Sequence, residues 1–105
     1  MCKSFIYETM LDAIVSETEI PRELILSHDK HPDVVEARCL LFHYLHKAGF
    51  YPAQIARMTK QSRQCVNEQL KAFDIRCQYC GNILKIYCKK LDNALSEYLL
   101  PPPKP

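Results

Sequence analysis

Residues 33–48, DVVEARCLLFHYLHKA, narrow the possible folds more than any other part of the chain. Val34, Ala37, Leu41, Tyr44, Leu45 and Ala48 recur at helical spacing, and Cys39, Leu40 and Phe42 widen the apolar stripe. A helix apolar over so broad an arc has to be covered by neighbours, which makes this segment the expected central helix of an all-α domain. Asp33 has the character of an N-cap, with Glu36 three residues on. Gly49 is placed to end the helix. The segment is too short to cross a bilayer, and Glu36, Arg38, His43, His46 and Lys47 interrupt it.

Other helices are expected around it. Residues 4–17, SFIYETMLDAIVSE, put Phe5, Ile6, Met10, Ile14 and Val15 mostly on one stripe. IPRELIL, 20–26, opens with Pro21, which suits the first turn of a short helix. SHDKHPD, 27–33, is expected to be a loop with Pro32 as its breaker. After a turn at 76–82, NILKIYCKKLDNALSEYLL, 82–100, repeats Leu84, Tyr87, Leu91, Ala94 and Tyr98 at 3-4 spacing. That closing helix should pack on the core, or offer a seam to a second copy or a protein partner. The tail PPPKP, 101–105, should be extended and solvated.

The stretch QIARMTKQSRQCVNEQLKAF, 54–73, has the spacing of a helix-turn-helix, with helices at about 52–59 and 62–75. Such a pair needs an apolar anchor, a small residue where the helices touch, a turn and a cap. Ile55, Ala56 and Ser62 fill those places, the serine hydroxyl being able to satisfy free N–H groups of the next turn. Val66, Leu70 and Phe73 fall at i, i+4 and i+7. Thr59 stands where an apolar residue is usual, and Lys60 where the turn often has glycine. Arg63, Gln64, Asn67 and Lys71 lie on the opposite face, with Glu68 near them. Arginine suits guanine and glutamine or asparagine suits adenine through paired hydrogen bonds. Arg57, Lys60 and Lys71 would be phosphate contacts, which position a protein without specifying sequence.

The 105 residues are expected to form a single domain over 1–100. The two glycines, Gly49 and Gly81, cannot form a glycine-rich phosphate cradle. Charge is uneven: residues 1–50 carry five Lys/Arg against eight Asp/Glu, and residues 51–105 carry nine against four. The basic half holds the helix-turn-helix, and a positive patch there would attract phosphates. No secretory signal or membrane span is visible, so the expected location is the cytoplasm, with the six cysteines as thiols. Cys77, Cys80 and Cys88 fall short of the four ligands of structural zinc, and the fourth would have to be Cys2 or a distant histidine. Buried thiols are expected instead. His28, His31, His43 and His46 have no carboxylate placed to complete a site and are expected to be exposed. Cys65, at a helix start, has no base nearby in the sequence. No enzyme activity and no cofactor are expected.

The order of elements, with IPRELILS, the Val34 and Arg38 pair in VVEARCLLFHYL, and IARMTKQSRQCV, resembles the C-terminal DNA-binding domain of the bacterial replication initiator DnaA. The resemblance runs from about residue 4 to 98. It implies a five- or six-helix, Trp-repressor-like bundle that binds double-stranded DNA, with a recognition helix in the major groove and a basic loop in the minor groove. Carried over, Ser62, Arg63, Gln64 and Cys65 take the recognition positions before Val66, and Lys30 represents the basic loop. The family's arginine-rich loop is here SHDKHPD, with Asp29, Pro32 and Asp33, and the 105 residues hold no GxxxxGK(S/T) motif of the ATPase domain that precedes this module in the family. The implied protein is a divergent stand-alone relative, a regulator or replication-associated factor. A protein-interaction module that keeps the fold without DNA is the other expectation.

Overall fold

Each expected helix forms, and α3, the one with the broadest apolar arc, is the centre. The computed structural model describes residues 3–79 and 82–96. In chain order the helices are α1 (Lys3–Thr18), α2 (Arg22–Ile25), α3 (Pro32–Lys47), α4 (Pro52–Thr59), α5 (Arg63–Tyr79) and α6 (Asn82–Leu95), and the described residues contain no strand. Cys2, Cys80, Tyr98 and the tail 101–105 lie outside the described residues, as do the side chains of Cys77 and Leu84.

α3 touches α1, α2, α4 and α5, while α6 closes the bundle against α1 and the end of α5. Its buried residues run almost without a break from Ala37 to Phe42 and on through Tyr44 and Leu45. Met10, Leu11 and Ile14 of α1, Ile25 of α2, Ile55 of α4, Val66 and Phe73 of α5 and Leu91 and Leu95 of α6 complete the core. Phe5, expected on the apolar stripe of α1, is 52% exposed.

The ends of α3 are set by local chemistry. Its N-cap is His31 and its first residue is Pro32, so Asp33 is not the cap. A proline at the first helical position loses no hydrogen bond, and its fixed φ starts the helix, so Pro32 initiates here instead of breaking. At the other end Phe50 N–H donates to Leu45 O at 3.1 Å and Gly49 N–H to His46 O at 3.0 Å. With Gly49 at φ 101°, this is the Schellman closure that a residue without Cβ adopts most easily. Phe50 is thereby turned into the core.

α5 runs to Tyr79, through part of the turn expected at 76–82. No glycine or proline occurs between Arg63 and Cys80 to stop it. Polar contacts then lock α3 to its neighbours. Cys39 Sγ donates to Gln69 Oε1 of α5 at 2.6 Å, and Tyr44 Oη donates to Asp92 Oδ1 of α6 at 2.9 Å. Leu91 of α6 is fully buried in this core, so it is not free to form a seam with another chain.

Candidate nucleic-acid interface

α4 and α5 pack on one another across the turn Lys60–Ser62. Ile55, Ala56, Val66 and Phe73 are buried, and Met58 and Leu70 pack partly covered against the core. Thr59 is buried as well, because its Oγ1 donates to Ile55 O at 2.7 Å. A hydroxyl that bonds back to its own helix can occupy an apolar site without an unmet polar group. Lys60 adopts φ 58°, ψ 34°, the left-handed conformation that glycine would adopt most easily.

Ser62 caps α5, its Oγ accepting the Cys65 N–H at 3.0 Å. Gln61, between them, turns inward: its Nε2 donates to Ser27 O at 3.1 Å and lies 3.5 Å from Leu26 O. The turn is therefore fastened to the loop that precedes α3. That loop is tied in turn by Arg38, whose buried guanidinium donates from Nε to Ile25 O at 2.9 Å and from Nη2 to Asp29 O at 3.1 Å. Backbone carbonyls take the place of water around this charge, so it can lie buried without a carboxylate. Within the loop, Asp29 accepts the His31 N–H at 2.8 Å and His31 Nδ1 at 2.7 Å, and these bonds hold its carboxyl below the ordinary range.

Arg57, Lys60, Ser62, Arg63, Gln64, Asn67 and Lys71 are all exposed. On α5 the spacing of Arg63, Asn67 and Lys71 lines one face, with Gln64 beside them; Arg57 and Lys60 lie on α4 and the turn. Lys30 is exposed on the loop before α3, a separate element joined to the turn through Gln61. Among the described residues no ion pair engages Lys30, Arg57, Lys60, Arg63 or Lys71, whereas Arg22, Lys47 and Lys90 pair with Glu8, Asp92 and Glu17. Exposed Lys85 and Lys89 on α6 are also without an ion pair among those residues. Two acids share the outer side of α5, Glu68 and Asp74, and Gln64 Nε2 donates to Glu68 Oε1 at 3.1 Å.

His28, His31 and His46 are exposed, but His43 is not. Its ring stacks on Phe73 with centroids 4.1 Å apart, and burial together with Lys47 lowers its pKa to about 4. Cys39 is buried and its thiol is pushed up to about 11. Among the described residues no group of three His, Cys, Asp or Glu side chains could hold a metal, and no helix is long and apolar enough to cross a membrane.

No family model, curated protein or solved structure matches this chain. Arg38 and Gln61, which fasten the loop before α3 and the turn before α5, carry no expected role in the sequence pattern. A charged residue in the middle of the run EARCLLF was a signal for Arg38. Gln61, polar and in a turn, had none.

Proposed function

We propose that this protein binds double-stranded DNA by setting the first turns of α5 in the major groove, as a Trp-repressor-like helix-turn-helix of the DnaA C-terminal kind. The observation that carries the reading is the division of α4 and α5 into two opposite sets. Every expected anchor lies in or against the core, and every expected DNA contact is exposed without an ion pair. In helix-turn-helix proteins the N-terminal residues of the second helix meet base edges and the first helix crosses the backbone. Arg63, Gln64 and Asn67 are then the base readers. Arg57, Lys60 and Lys71 contact phosphates, the Ser62 hydroxyl caps the reading helix beside them, and Lys30 extends the contact from the neighbouring loop. This is a binding protein, a cytoplasmic regulator or replication-associated factor, and not an enzyme.

A protein-interaction module on the same fold is the second reading. Glu68 and Asp74 on the α5 surface favour it, together with Ile75, 59% exposed between them and the α6 corner. Salt separates the two, because phosphate neutralisation makes affinity fall steeply with ionic strength. Fluorescence anisotropy of labelled duplexes at two salt concentrations is the test. The expected result is binding that weakens with salt and loses about tenfold or more of its sequence preference in Arg63→Ala. Absence of duplex binding at low salt rejects the DNA reading in favour of a protein partner.

A further inference from the structure

Glu68 is an acid at the edge of the α5 face that carries Arg63, Asn67, Lys71 and Gln64. Gln64 and Glu68 are one turn apart and joined at 3.1 Å. An ionised carboxylate only accepts hydrogen bonds, so the Gln64 amide must turn its NH2 toward Glu68. The exposed carboxylate is thus held against the helix by Oε1, and among the described residues Oε2 accepts no bond. Such a group near DNA is repelled by phosphate and by the acceptor atoms of most base edges. Cytosine differs: its major-groove edge presents the N4 amino group as a donor, with no N7 beside it, whereas guanine presents two acceptors and thymine a carbonyl and a methyl.

We infer that Glu68 is a specificity determinant: held by Gln64, it accepts a hydrogen bond from the N4 amino group of a cytosine while Arg63, nearer the start of the helix, donates to a guanine. The inference rests on the DNA-binding reading and adds to it the class of target, a site with G·C pairs under α5. Arg63 and Glu68 are separated by about 7.5 Å along the helix axis, from the rise of about 1.5 Å per residue. Both readers therefore fit within a footprint of a few base pairs. Gln64 positions Glu68 through its NH2 and keeps its Oε1 for a base edge.

The test is selection from a randomised duplex pool by the full chain and by Glu68→Gln, followed by anisotropy on the enriched duplex. Glu68→Ala is the second variant, and circular dichroism checks that both keep their helices. Wild type is expected to lose about tenfold or more in affinity when the selected cytosine pair becomes a T·A pair. Both variants are expected to lose that discrimination, to keep the guanine preference of Arg63, and to bind all duplexes more tightly for want of the negative charge. A wild type without a cytosine preference overturns the inference. So do variants that retain the preference, including those that merely gain affinity for every duplex alike. No duplex binding by wild type or variants overturns the DNA-binding reading and this inference together, a result distinct from binding without cytosine discrimination.

Discussion

Lys60 holds its backbone at φ 58° in a region where a side chain crowds the carbonyl, at a cost of about 1–2 kcal/mol. Glycine would adopt the same turn more easily, but it would remove an exposed cation from the proposed phosphate-binding side. Lys60→Gly should therefore raise stability toward urea by about 1 kcal/mol and weaken duplex binding at low salt. Loss of stability, or unchanged affinity, would contradict this pairing of effects. His43 is a second residue with a readable cost. It is stacked on Phe73, with Lys47, His46, Asp74 and Asp92 as its charged or titratable surroundings, and stays neutral down to about pH 4. The unfolded chain takes up this proton near pH 6.5. Between those values the unfolded state binds more protons, so the contribution of a neutral His43 is complete above pH 6.5 and is lost progressively toward pH 4. The loss is at most about 3 kcal/mol. In urea titrations from pH 7 to 4, wild type should lose stability relative to His43→Leu as pH falls, and parallel curves would refute the assignment.

At the scale of elements, α4 and α5 followed the sequence closely because their determinants are local. The i, i+4, i+7 spacing of Val66, Leu70 and Phe73 gave the inner face, and Ser62 gave the start. Replacing Ser62 by alanine should cost about 1 kcal/mol, the usual value of a helix N-cap. Chemical denaturation measures it, and a neutral outcome would mean that another group takes over the Cys65 amide. Element limits were less legible where two signals competed. Asp33 and Pro32 both signal a helix start, and the proline prevailed because its φ is already helical. The C-terminal limit of α5 was misplaced because 76–79 contains no residue that obliges a helix to stop. His43 was expected to be exposed because histidine is polar, yet its position beside Tyr44 and across from Phe73 decides its environment.

At the scale of the molecule, the all-α bundle and its central helix were legible because apolar periodicity is repeated in every long segment. The fastenings between segments were not. Arg38 bonds carbonyls 9 to 14 residues before it, and Gln61 reaches back 34 and 35 residues. Hydrogen bonds over such separations leave no pattern in local sequence. The division of charge was visible as a difference between halves, and the structure adds that Glu8 and Glu17 of the first half meet Arg22 and Lys90, while the cations Arg57, Lys60, Arg63 and Lys71 of α4, the turn and α5 stay without ion pairs among the described residues. The two fastenings also differ in when they become available. A chain lengthening from its N-terminus has everything the Arg38 clasp requires once α3 is made. The Gln61 link needs the turn after α4 as well. The loop between α2 and α3 can therefore be fastened during synthesis while α5 has yet to be joined to it.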